Sequence, residues 1–248
     1  MFGKIEVYRT KQQLIRGAAE VFTQTVNSAV AQKGVCTIAL AGGTTPRDVY
    51  GMLASDPFKD RVAWKHIHFF WGDERAVSPQ HPDSNYGMVY RHLLAKVPVP
   101  ASHIHRIHGE LPPQMAAEQY EDALANVFAD QEMCFDLVLL GIGQDGHTAS
   151  IFPNTQAVND LAKKVTAVYV PGLQCWRISL TLPLLNMAKK IVSLASGEKK
   201  AEILRKLHRL SSPDASLPAS LIQPANGELL WMLDSHAALF LASQATIA

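Results

Sequence analysis

Apolar side chains recur at helical spacing between residues 11 and 32, at Leu14, Ile15, Ala18, Ala19, Phe22, Val26 and Val30. That stripe predicts an amphipathic helix. Around it the pattern changes repeatedly from short β-favouring runs to helical spacing. Strands are predicted at Ile5–Tyr8, Val35–Ala41, His66–Trp71, Ile104–Ile107, Phe135–Leu140, Val165–Val170, Arg177–Leu182, Ile191–Ala195 and Leu229–Leu233. Helices are predicted from Pro46 to about Ala54, around Tyr86, Val89, Leu93 and Leu94, over Pro113–Asp130, over Lys199–Leu210, and from Ser235 onward. In the helix at Pro46, Thr45 is the expected N-cap and Asp48 falls three residues past it. In Pro113–Asp130, Met115, Tyr120, Leu124 and Phe128 are expected to point inward. Alternating strands and helices imply a largely parallel sheet covered by helices on both faces.

No internal repeat, low-complexity segment or long linker interrupts the pattern. Residues 211–224 are rich in Pro and Ser, but only about 24 residues follow, too few for a domain. Residues 1–248 therefore read as one α/β domain.

Composition narrows the function classes. With 48% hydrophobic and 18% charged residues, the chain is an ordinary globular sequence. A formal net charge of +1, without a dense Lys/Arg run, argues against a nucleic-acid surface, so any anion site should be local. Cys36, Cys134 and Cys175 show neither disulfide nor zinc spacing and read as small buried residues in a reducing compartment. The first residues lack a signal-peptide apolar core. No apolar run approaches the ~20 residues of a membrane span. A cytoplasmic protein without membrane partners is expected.

Candidate chemistry gathers where predicted strands end. Val35–Ala41 runs into Gly42, Gly43, Thr44 and Thr45 before a helix. Glycines let the backbone approach an anion, and a helix start offers unpaired N–H groups and a favourable dipole. The same residues would also make a plain strand-to-helix turn. Phe135–Leu140 runs into Gly141-Ile-Gly-Gln-Asp-Gly-His-Thr-Ala-Ser150. This matches G-x-G-x-x-G, yet it lies late in the chain, Phe152-Pro153 would break the required helix, and no acid ends the next strand. A dinucleotide loop is thus disfavoured. His147 is a competent general base near neutral pH, and Asp145, two residues earlier, is close enough to orient it. Asp73-Glu74-Arg75 follows a third strand: Arg75 suits an anion, and Asp73 suits sugar hydroxyls or an ordered water. Gly197-Glu-Lys-Lys-Ala201 opens a helix after another strand and brings Lys199 or Lys200 to the same edge.

Four motifs together carry a family resemblance. They are Leu40–Pro46, Trp71–Arg75 with Asp83–Asn85, Leu140–Pro153, and Arg177–Pro183 with Gly197–Ala201; Leu217–Ala219 and Trp231–Asp234 fit as well. In this order, over nearly the whole chain, they resemble the glucosamine-6-phosphate isomerase/6-phosphogluconolactonase family, on its lactonase side. The resemblance implies a Rossmann-like fold shared with glucosamine-6-phosphate deaminase and ribose-5-phosphate isomerase. It implies hydrolysis of 6-phospho-D-glucono-1,5-lactone, the second step of the oxidative pentose phosphate pathway, without metal or cofactor. Gly42, Gly43, Thr44 and Thr45 would take the phosphate, with charge from Arg75 and Lys200 and Arg177 as a further candidate. Asp73 would meet the sugar. His147, held by Asp145, would activate water. Ala41 stands where the family usually has serine, which removes one hydroxyl. Deaminases of the family have His-Ile-Ala-Phe-Asn-Glu-Pro after the Asp-Gly; here Phe152 falls at the glutamate position, which disfavours deamination. A sugar-phosphate-sensing regulator of this fold would need a DNA-binding segment before the sheet, whereas the first strand is expected near residue 5.

Overall fold

The computed structural model describes residues 3–129, 132–241 and 246–247. β1 (Lys4–Tyr8) leads into the long helix α1 (Lys11–Lys33). Thr10 caps α1 by accepting from the Gln13 amide, and Gly34, at φ 78°, ends it in the left-handed conformation. The stripe from Leu14 to Val26 is buried, with Val30 half-buried at its end. There follow β2 (Cys36–Leu40), α2 (Thr44–Leu53), the one-turn α3 (Phe58–Arg61), β3 (Ile67–Trp71), β4 (Asp73–Arg75), α4 (Asn85–His92) and α5 (Pro113–Val127). Then come β5 (Leu137–Gly141), β6 (Val165–Val170), β7 (Cys175–Leu180), α6 (Leu182–Asn186), β8 (Lys190–Ala195), α7 (Ala201–His208), β9 (Glu228–Asp234) and β10 (Thr246–Ile247).

Seven strands pair in the order β10-β1-β9-β8-β5-β2-β3, all parallel. β2 is buried at every position, as expected of a strand covered on both faces. From β2 the chain moves outward to β3, whereas β5, β8 and β9 build the sheet in the other direction. The order thus reverses between β2 and β5. Loops leaving the carboxyl ends of those two strands diverge and leave a crevice, where ligands of open α/β sheets bind.

Beside it lies a second, antiparallel sheet in the order β4-β7-β6, which periodicity alone did not reveal. β6 and β7 sit at the predicted strands, but only four residues, Pro171–Gln174, separate them. That leaves no room for a parallel crossover, so they form a hairpin. β7 also pairs with Asp73–Arg75, which were not among the predicted strands and become β4, the third strand of this sheet.

Other expectations shift for local reasons. α2 begins at Thr44 rather than Pro46, with Gly43 at its cap. Gly43 has φ 98°, so the chain turns into the helix earlier than a threonine cap would allow. Asp48 does not serve the cap; it pairs with Lys11 at 2.6 Å. Ile104–Ile107 is no strand: only a single bridge joins Ile104 to Phe69. Met115 is exposed, because the inward stripe of α5 runs through Ala116, Tyr120 and Leu124, four residues apart. α5 ends at Val127, and Asp130 lies outside the described residues. Glu198–Lys200 forms a 3-10 turn before α7. Residues 235–240 form turns instead of a helix, organised by Asp234, whose carboxylate accepts from the amides of Ala237 and Gly197. No helix among the described residues is long and apolar enough to cross a membrane.

Three histidines cover β3 at the edge of the main sheet. His68 stacks on His103 with ring centroids 4.0 Å apart, and its Nδ1 lies 3.0 Å from His105 Nε2. Burial, reinforced by the neighbouring imidazoles, pushes His68 and His105 from 6.5 down to about 4. Between pH 6.5 and 4 the unfolded chain binds protons that these folded histidines refuse. Stability therefore falls as pH drops through that window. Thermal unfolding from pH 7 to 4 should show this decline, and a His68→Gln/His105→Gln variant should flatten it. A variant profile as steep as the parent's would refute the assignment.

Candidate active site

A cleft of about 260 Å³ opens at the crevice between β2 and β5. One wall is the β2–α2 connection, Ala41 to Pro46. No side chain caps α2, so its first N–H groups keep their hydrogen-bonding capacity. Thr45 is buried and its hydroxyl lies 2.8 Å from that of Ser196, tying this loop to the end of β8. Gly42 has a packing reason: a methyl group there would lie 2.0 Å from Asn85 Oδ1.

The facing wall is the loop after β5. His147 Nδ1 lies 2.6 Å from Asp145 Oδ1, which also accepts from the His147 amide at 3.2 Å. A carboxylate oxygen accepts here, so Nδ1 is the donor, and in the neutral ring Nε2 is then the nitrogen with the lone pair. Both side chains are partly exposed, so the pair orients the ring more than it stabilises the fold. Gly143 donates to the His147 carbonyl at 2.9 Å, and Thr148 Oγ1 to Gly141 O at 2.9 Å. These bonds fold the loop onto itself and leave the imidazole at the cleft wall.

The second sheet supplies the third side. Asp73 is buried; Ser150 Oγ donates to its Oδ2 at 2.6 Å, and Asn85 Nδ2 to its Oδ1 at 3.2 Å. Ser150 thereby links the β5 loop to β4. Glu74 is turned away from the cleft as a strut. It accepts from the amides of Arg75, Asn85 and Tyr86 and from the Ser84 hydroxyl, fixing the start of α4. Burial raises its carboxyl above the usual range, and those amide bonds oppose the rise. Arg75 Nη1 donates to Asp83 O at 2.6 Å, while its buried Nε has no hydrogen-bond partner among the described residues.

Lys200 completes the lining. Its Nζ donates to Ile142 O at 2.6 Å, and burial lowers its pKa, partly offset by attraction to Asp145. Its position depends on Gly197, at φ 87°, whose amide is held by Asp234. The cleft is thus donor-rich on the α2 side, carries a hydrogen-bonded His–Asp pair on the β5 loop, and has the Lys200 cation bonded to that same loop.

The sequence profile described as glucosamine-6-phosphate isomerases/6-phosphogluconolactonase matches residues 9–231. The chain belongs to this family. A relative from Synechocystis named 6-phosphogluconolactonase is 39% identical over 96% of this chain and 98% of its own. The 6-phosphogluconolactonase structure from Trypanosoma brucei superposes with a TM-score of 0.83 at 26% identity, over 97% of this chain and 99% of that one. A monomeric glucosamine-6-phosphate deaminase shares the fold, with a TM-score of 0.80 at 23% identity over 96% and 99% of the two chains.

Among the site residues anticipated from the family motifs, Gly42, Gly43, Thr44, Thr45, Asp73, Arg75, His147 and Lys200 line one cleft. Asp145 stands behind His147. Arg177 does not line the cleft; it is the cross-strand neighbour of Arg75 and donates from Nε to Cys175 Sγ at 3.4 Å. Of the two lysines left open, Lys199 is exposed and Lys200 reaches the cleft. Asn85, Ser196 and the strut Glu74 were not singled out in advance. Asn85 sat in a family motif, but its bond to Asp73 spans 12 residues of loop and helix, which no local pattern encodes.

Proposed function

We propose that this family member hydrolyses 6-phospho-D-glucono-1,5-lactone to 6-phospho-D-gluconate, as its relatives' names state for them, and that it serves the oxidative pentose phosphate pathway. The observation that carries the reading is that one cleft is lined by His147, itself bonded to Asp145, by the anion-suited turn Gly42–Thr45, and by the Lys200 ammonium. The phosphate would rest on the amides and hydroxyls at the start of α2, with Lys200 and Arg75 supplying charge. Asp73, held by Ser150 and Asn85, would accept from a sugar hydroxyl.

His147 Nε2 would remove a proton from water as the water oxygen attacks C1. The tetrahedral intermediate would then expel the ring oxygen, and His147 would return the proton to it as the C1–O bond breaks. Asp145 would steady the imidazolium formed in between. General-base assistance of this kind is worth roughly 10²–10⁴-fold. A lactone is already activated, so positioning supplies much of the remainder.

Acid release from freshly prepared lactone tests the reading directly. The protein should accelerate hydrolysis well beyond the spontaneous background, and EDTA should not abolish the effect. No acceleration, or ammonia release from glucosamine 6-phosphate in its place, would overturn it.

A further inference from the structure

The His147 ring is tethered covalently at Cγ and bonded to Asp145 at Nδ1. It can still tilt about the line through those two atoms, and Nε2 then sweeps an arc. A second constraint is present. The Phe152 ring lies against the imidazole face, with centroids 4.0 Å apart and planes 26° from parallel. Phe152 is 8% exposed, so its ring is not free to follow the histidine. Its main chain is anchored as well. The Phe152 carbonyl accepts from Thr155 Oγ1 at 2.8 Å and from the Thr155 amide at 3.3 Å. The preceding turn is closed by the Ile151 amide on Thr148 O at 2.9 Å. That turn holds Ala149 at φ 47°, a conformation unfavourable for a residue with a side chain and maintained only by its surroundings. Ser150, in the same turn, is bonded to Asp73 at 2.6 Å. Phe152 is thus presented from a segment braced against the other side of the cleft.

We propose that Phe152 is a positioning residue for His147. Its ring sets the plane of the imidazole, the Asp145 bond sets its direction within that plane, and together they aim Nε2. The buried aromatic face also keeps water from one side of the base. The kinetic part of this inference rests on the lactonase reading; the geometric part does not.

The test compares Phe152→Leu and Phe152→Met, which remove the flat face, with Phe152→Tyr, which keeps it. Each is measured for lactone kcat and KM, for thermal stability, and for the ring-nitrogen signals of His147 by NMR. Loss of the plane should lower kcat roughly 10–100-fold, the range expected for a misaimed catalytic group, with KM little changed. Phe152→Tyr should restore kcat to near the parent value. The His147 signals should report one fixed tautomer in the parent and Phe152→Tyr, and an averaged ring in the other two. If Phe152→Leu does not fold, Phe152→Met, closer to neutral in volume, carries the comparison. A folded Leu or Met variant with parental kcat and a fixed ring would overturn the proposal. So would a Tyr variant as impaired as these. If the parent protein does not hydrolyse the lactone, the proposed function fails, and the nitrogen signals alone decide whether Phe152 positions the ring.

Discussion

Replacing His147 by alanine is expected to lower lactone kcat by about 10²–10⁴-fold while 6-phosphogluconate still binds. The separation follows from the geometry. His147 belongs to the β5 loop, whereas the groups suited to the phosphate stand on the β2–α2 connection and at Lys200. Removing the imidazole takes away the proton acceptor and leaves the anion wall untouched. The fold should survive too, because the His147 side chain is partly exposed and its loop is closed by bonds from the Gly143 amide and the Thr148 hydroxyl. Calorimetry with the product and acid-release kinetics on the same preparation check both halves. Near-parental turnover would remove His147 from the mechanism. Loss of product binding along with turnover would place it in substrate binding instead.

The second large effect is expected from one added methyl group. In Gly143→Ala the new Cβ would lie 2.1 Å from His147 Nδ1 and 2.3 Å from Asp145 Oδ1. These are impossible contacts, so the His–Asp pair must part or swing aside. Gly143 does not have a positive φ, so alanine brings no backbone strain of its own. The displaced groups are partly exposed and can move into solvent. Turnover should therefore fall about 100-fold, as for a catalytic group moved by about 1 Å, with only a small change in Tm. Gly141→Ala supplies the contrast: a methyl there meets nothing within 4 Å, and it should cost less turnover than Gly143→Ala. Equal activity in the two variants would show that the His147–Asp145 contact does not matter. A structure of Gly143→Ala should show that contact lengthened beyond hydrogen-bonding distance.

Both variants act within a loop that reads at first like a dinucleotide fingerprint. The glycines serve another purpose here. Gly143 leaves room for the His–Asp pair, and Gly146, at φ 84°, turns the chain and receives the Ala219 amide on its carbonyl. Gly42 leaves room for Asn85, and Gly43 turns the chain into α2. A G-x-G-x-x-G spacing shows where side chains are absent. It does not show what fills the space.

Several elements were legible in advance because their causes are local. The α1 stripe, the buried runs of β2, β5 and β8, and the glycine breaks after β2 and β5 are written in side-chain periodicity and in backbone freedom. Alternation of strand and helix was enough to imply the parallel sheet, because a parallel pair requires a crossover. In α5 and at its C-cap, Tyr120, Leu124 and Phe128 are buried as expected, whereas Met115 is exposed because it stands five residues from Tyr120, a spacing that leaves the helix face. The recruitment of β4 by the β6–β7 hairpin was not legible. Pairing partners are chosen by tertiary packing, not by the strand's own pattern.

By itself, then, the sequence determined the α/β alternation, the loops able to approach an anion, and the proximity of Asp145 to His147, all set within a few residues. Tertiary structure alone decided which of these loops face each other. Reversal of strand order between β2 and β5 brings residues about a hundred positions apart, Gly42–Thr45 and His147, onto one cleft. The same long-range packing selects Lys200 over Lys199, moves Arg177 to the side of Arg75, and sets the Phe152 ring against the imidazole. Such contacts depend on how whole elements dock, and docking is governed by the summed burial of many side chains rather than by any motif.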